Sequence, residues 1–400
     1  MGSNTESWKL YLSPRFLVGR VREKGIVYCF KAALRMVYRR VPERGRHFIT
    51  YLINLFKFLL IRKAKKTILG VWDYKLVPWS VGDFLVFIET LSVLKLKHGA
   101  DKVDVCVVCD SENPAGNRGS TTVNSSNFRY YLFSLLPIIN TSPYLGSVFQ
   151  FDSRAEFYSF LKQNINKYEI YPPINEQLKE TFNFYGGATL KEIQDFYREC
   201  GFIPHLVIND YHLSWAYNFY KTKAKGLLPV VVSLKWHPHS MRRSADRNVW
   251  LGFFDLCKSA FPEVVFVVIG VREEVFEELR ERSNVIIAKD YGSTLAEDFA
   301  LARTSLLFMG MISGIATIVW FSDVPYLLFG QSPEYGKQTG LKPGSTWEFA
   351  TQYQKVFYTS FIITPHSLLE EFSSLYNQLD IDRWHKKASA FTCHPYSFAT

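Results

Sequence analysis

The loop YKLVPWSVGDF, residues 74–84, sets one carboxylate, Asp83, between a strand-like run and a helix-like run. A carboxylate in the first turn of a helix is favoured as a cap. At a strand end that faces a cleft it has a second use, taking the proton from an attacking hydroxyl. A second loop, KWHPHSMRRSADRNVW, gathers Lys235, Arg242, Arg243 and Arg247 behind another strand-like run. Cations grouped in this way suit a pyrophosphate that must leave with negative charge. A solvated loop is the plain alternative. In MISGIATIVW, Ser313 and Gly314 stand between a strand and a helical stretch. Free N–H groups at a helix start attract phosphate, and glycine lets it approach. A turn that only needs glycine explains the pair equally well.

Other chemistries lose their support. No GxGxxG follows the first strand of either half, and GxxxxGKS, HExxH and GxSxG are missing. The HPH at 237–239 has no nearby carboxylate or cysteine to complete a ligand set, so no metal is expected. Six cysteines in 400 residues do not make a disulfide scaffold, and a reducing compartment fits them best. Cys106 and Cys109 form a CxxC inside the strand-like DVCVVCD, where three-residue spacing sends the thiols to opposite faces.

Elements that would position these residues alternate along the chain. Strands are expected at 67–73, 104–110, 147–152 and 205–210, with helices at 84–97, 128–139, 154–165 and 191–200. The stretch YKTKAKGLLP, 220–229, has the composition of a linker. Strands then recur at 229–236, 264–270, 284–290, 304–310 and 324–330, with helices near 249–260, 272–281, 294–302 and 315–321. Thr294 with Glu297, and Ser367 with Glu370, read as capping boxes, the second opening a last amphipathic helix. The fold class is therefore α/β: two facing Rossmann-like domains with a cleft between carboxyl strand ends. The expected organisation is a basic segment 1–66, a first domain 67–225, a nucleotide-binding domain 226–365, and a helix and tail 366–400.

Charge is divided unevenly. Residues 1–66 hold 16 Lys and Arg against 3 Asp and Glu, a net of +13; residues 67–400 hold 31 against 34. A uniformly basic nucleic-acid surface is thereby made unlikely as the source of the overall +10. Within the segment, Lys31, Arg35 and Arg39 recur at four-residue spacing, with Leu34, Val37, Tyr38 and Val41 on another face. The apolar run 48–61 would span about 21 Å as a helix, short of a ~30 Å hydrocarbon core. RKAKK follows it at once. An interfacial anchor on an anionic cytoplasmic membrane face is expected, with a packed helix as the alternative.

With these motifs in place a resemblance can be stated. WSVGDFLVFIETL is similar to the first βα loop of the ADP-heptose heptosyltransferase family: a small-residue turn, Gly-Asp, then an apolar helix. SGIATIVWFSDVPYLLFG resembles that family's donor-side motif, and the basic loop before Trp250 resembles its cationic loop. More broadly the chain looks like a GT-B glycosyltransferase. The resemblance implies a metal-independent, inverting transfer from a nucleotide-sugar, which acts as co-substrate, with no cofactor. It makes Asp83 the base and assigns Trp79, Ser80 and Gly82 to the acceptor side. Lys235, Arg242, Arg243, Arg247, Ser313, Gly314 and Thr317 fall on the donor side; Thr317 stands where the family usually has a histidine. Gly270 and Lys289 mark the expected base pocket; Glu297 could reach a ribose hydroxyl, and capping alone explains it equally well. The implied partners are a nucleotide-sugar, a glycan or lipid-linked acceptor and an anionic membrane, not nucleic acid. A nucleotide-sugar epimerase and a non-catalytic protein retaining the fold stand as alternatives.

Overall fold

The computed structural model describes residues 66–77, 79–109, 123, 126–175, 187–236, 244–338, 341 and 345–392. The basic N-terminal segment, the HPH triplet and Arg242 and Arg243 lie outside the described residues.

TILGVWD forms β1 (Thr67–Asp73), buried from Ile68 onward. Such unbroken burial belongs to a central strand covered on both faces. Next come α1 (Val81–His98), β2 (Val103–Val108), α2 (Phe128–Ile139), β3 (Leu145–Phe151), α3 (Arg154–Asn164), β4 (Tyr168–Tyr171) and α4 (Gly187–Cys200). The four strands form a parallel sheet in the order β3-β2-β1-β4. Trp72 meets Phe84 edge-on at 4.6 Å, which fastens α1 onto β1. Side chains of this size contribute about 1.5–3 kcal/mol each on full burial.

Helix α5 (Asp210–Phe219) leads to the second sheet: β5 (Leu228–Ser233), α6 (Arg247–Ala260), β6 (Val264–Ile269), β7 (Val285–Ile287), α7 (Leu295–Thr304) and β8 (Leu307–Met311). The chain continues through α8 (Thr317–Trp320), β9 (Tyr326–Gln331), α9 (Pro333–Gln338), β10 (Gln354–Tyr358), α10 (Pro365–Tyr376) and α11 (Ile381–Thr392). All six strands are parallel, ordered β10-β9-β8-β5-β6-β7. That order reverses direction between β5 and β8, so a crevice opens beyond their carboxyl ends. Both sheets lie in one compact unit, Ala64–Thr400.

Several expectations need correction. HLVIND does not join the first sheet. Val207 donates one backbone bond to Thr141 O at 2.8 Å, and Asn209 then caps α5. A polar residue able to cap at the end of a short apolar run favours a helix start over a further ladder. The 272–281 stretch is two 3₁₀ turns, Arg272–Glu274 and Glu277–Glu281, with Leu279 as their one buried residue. It has too narrow an apolar stripe to seat an α-helix. The apparent linker instead packs as a π-helical turn, Tyr220–Ala224, with Tyr220 and Ala224 buried. In the last capping box Thr364 is the N-cap and Ser367 the third helical residue, one turn earlier than expected. Short edge strands β4 and β10 were not foreseen. The Thr294–Glu297 box is present. Cys106 and Cys109 sit in different core clusters on opposite sides of β2.

Candidate active site

At the end of β1, Asp73 is 2% exposed and receives Arg154 at 2.6 Å and the Lys75 N–H at 2.8 Å. This buried pair turns the chain out of the sheet toward α1. Trp79 donates from Nε1 to Ser134 Oγ at 2.7 Å and rests on Tyr131, so the loop leans on α2. Ser80 is the N-cap, its hydroxyl accepting the Asp83 N–H at 3.3 Å. Asp83 thus occupies the third helical position, half-buried, where the helix dipole favours negative charge.

In the second sheet the crevice between β5 and β8 is marked by two serines. Ser233 and Ser313 share a hydrogen bond of 3.3 Å, and Ser313 Oγ also accepts the Ala316 N–H. The strands approach closely here: a Cβ on Gly310 would stand 2.2 Å from Ser233 O, at φ +151°. Gly314 begins a turn that leads into α8, a helix of four residues and shorter than expected. What the turn offers a phosphate is local N–H groups more than a long helix dipole.

The two loops meet. A Cβ on Gly82 would lie 3.0 Å from Gly314 Cα and 3.2 Å from Thr317 Oγ1. Thr317 is 2% exposed and faces Gly82. The structure therefore brings Gly82, Gly314 and Thr317 to one seam, with Ser80 and Asp83 flanking it on one loop and Ser313 on the other.

Lys235 follows β5 and is half-buried. Glu274, which sequence reasoning missed, lies against it. Burial raises the Glu274 carboxyl above its ordinary value, while the Trp236 backbone and the Lys235 charge oppose that rise. Arg247 stands apart, at the first position of α6 and ion-paired with Glu278.

Gly270 and Lys289, expected on the donor side, meet at a buried carboxylate, Asp298, also missed. Its oxygens receive Lys289 Nζ at 2.7 Å, Ser293 Oγ at 2.7 Å and the Gly270 N–H at 3.3 Å. Burial raises the Asp298 carboxyl, and Lys289 pulls it back only in part. Gly270 and Lys289 are thereby tied together at the ends of β6 and β7. Glu297, the chain neighbour of Asp298, has both oxygens engaged: Oε1 with His212 Nδ1 at 2.9 Å, Oε2 with the Thr294 N–H at 2.9 Å and with its hydroxyl. Burial acts to raise the Glu297 carboxyl, but the Thr294 bonds and His212 outweigh it and hold it below its ordinary value. No sequence motif distinguished His212 or Asp298; only the fold brings them to these partners. Among the described residues no His, Cys, Asp and Glu cluster could hold a metal ion.

Solved structures share this fold. ADP-heptose LPS heptosyltransferase II of E. coli matches with a TM-score of 0.51 at 12% identity, covering 78% of this chain and 99% of that one. A glycosyl transferase family 9 protein of Veillonella parvula matches with a TM-score of 0.50 at 11% identity, covering 78% and 97%. At such identity the likeness is one of fold: the chain has the paired-sheet GT-B architecture of these glycosyltransferases. No protein-family model matches the sequence, and no curated protein matches it significantly.

Proposed function

We propose that the protein is an inverting, metal-independent glycosyltransferase that moves a sugar from a nucleotide donor to a hydroxyl of a lipid-linked or polysaccharide acceptor. The observation that carries this reading is the Gly82–Gly314 contact, which joins the Asp83 helix start to the Ser313 turn at the strand-order reversal. Asp83 takes the proton from the acceptor hydroxyl as its oxygen attacks the anomeric carbon. The donor's glycosidic bond breaks on the opposite face, which inverts the configuration. The departing diphosphate is received by the N–H groups around Ser313 and Gly314 and by Lys235, with Arg242 and Arg243 adding positive charge, while Arg247 is held by Glu278. Gly270, Lys289 and Glu297 line the base and ribose side, and Trp79 and Ser80 guide the acceptor.

The fold neighbour's ADP-heptose makes an ADP-sugar the first donor to try. A thermal-shift panel of ADP, GDP, UDP and CMP tests the donor site: one diphosphate should raise the melting temperature, and no shift with any would contradict the reading. The +13 segment is assigned to an anionic membrane on the cytoplasmic side. Among the described residues no helix is long and apolar enough to cross a membrane. Deleting residues 1–66 should move the protein from the membrane to the soluble fraction; retention by the membrane would overturn the anchor.

A further inference from the structure

A cavity of about 300 Å³ lies between α2, the 207–209 connector, α5 and α7. It contains none of the residues given above to the diphosphate or to proton transfer. Its volume is at the small end for ligand sites, about 300–1,000 Å³, enough for one sugar ring and too little for a nucleotide.

The walls are apolar: Leu136 and Pro137 from α2, Ile208 from the connector and Phe299 from α7. Phe133 stands at the mouth, 64% exposed, with Tyr130 one turn earlier on α2 at 71%. Exposed aromatic side chains grouped beside a cavity mark a binding surface, and a flat ring is a good partner for the C–H face of another ring.

The polar groups are few and electrically balanced. His212 reaches the cavity with Nδ1 on the Glu297 carboxylate, so its Nε2 is left for a ligand hydroxyl. Glu297 is satisfied by His212 and Thr294, and no unpaired cation lines the cavity to receive a phosphate or carboxylate. Asn140 adds an exposed amide at the rim. Apolar faces with a few hydrogen-bonding groups suit an uncharged, hydroxylated ring.

We propose that this cavity binds a neutral pyranose unit of the acceptor glycan, away from the hydroxyl that reacts. The proposal rests on the glycosyltransferase reading and extends it. Helix α2 supplies the physical link, since Ser134 holds Trp79 of the acceptor loop while Phe133 and Leu136 line the cavity.

The test is saturation-transfer NMR on the full chain with the methyl pyranosides of glucose, galactose, mannose and N-acetylglucosamine. At least one should show transfer. Leu136→Trp, which fills the cavity, should reduce that signal at least fivefold, and Phe133→Ala at least threefold. The diphosphate thermal shift should be unchanged in both variants. No transfer from any of the four, or transfer unaltered in both variants, overturns the proposal. Phe133 is exposed, so its variant remains informative should Leu136→Trp fail to fold. A missing diphosphate shift in the unmodified protein would instead strike the glycosyltransferase reading and leave the sugar result standing.

Discussion

Gly82 and Gly314 touch backbone to backbone: a Cβ on either would come within 3.0 Å of a backbone atom of the other. One belongs to the helix start that carries Asp83, the other to the turn that follows Ser313. Two loops far apart in sequence are brought together only because neither bears a side chain at the contact.

Gly82→Ala should therefore force the loops apart. Overpacking of this kind typically costs about 1–3 kcal/mol, read as a lower urea midpoint with an unchanged slope. If the proposed mechanism holds, the contact belongs to the catalytic seam, and sugar transfer should fall by more than the loss of folded protein explains. A variant with normal stability and normal turnover would show that the contact has no part in catalysis.

In the proposed mechanism Lys235 meets the departing diphosphate. A hydrogen bond to a charged group contributes about 1.5–3 kcal/mol, so Lys235→Ala should weaken diphosphate binding roughly ten- to a hundredfold by calorimetry. Arg247, already paired with Glu278 at the head of α6, should matter less when replaced by alanine.

Asp298 is 2% exposed and gathers Lys289, Ser293 and the Gly270 N–H. Asp298→Asn leaves the Lys289 ammonium largely buried without its counter-charge, a loss of about 3–5 kcal/mol. Lys355→Ala, which breaks a half-exposed pair with Glu371 at 3.3 Å, should cost under about 1 kcal/mol. Urea denaturation of the two variants side by side checks the contrast.

Glu297 gives a pH dependence with a definite sign. Its folded-state pKa lies below the ordinary value, so its stabilisation is present above the usual carboxylate range. It is lost as pH falls through the folded value. Glu297→Gln should thus be clearly less stable than the unmodified protein at pH 7. The gap should narrow on acidification below about pH 4.3. Urea midpoints at pH 7 and in that acid range measure it, and a gap that widened in acid would reverse the assignment.

Much of the fold was legible because parallel strands are buried on both faces and read as unbroken apolar runs; β1, β6 and β8 are of this kind. Two of the four edge strands, β4 and β10, escaped notice. YEIY is four residues long and nowhere fully buried, so it carries no such signal. The connector misled because HLVI has strand-like residues, while Asn209 beyond it decides the local structure by capping α5. Asp83, Ser313 and Gly314 were visible as loop residues at strand ends. Their meeting depends on a glycine–glycine contact between distant segments, which no local pattern encodes. His212 and Asp298 acquire their partners in the same way, through the packing of α5 against α7 and of α7 against the ends of β6 and β7.

The most direct test of the central claim is sugar transfer by Asp83→Asn with the donor and acceptor turned over by the unmodified protein. The asparagine keeps the side-chain shape and the helix start but cannot take a proton. Transfer should fall at least a hundredfold, as general-base catalysis contributes about 10²–10⁴, while the diphosphate thermal shift is retained. Turnover equal to that of the unmodified protein would contradict the account.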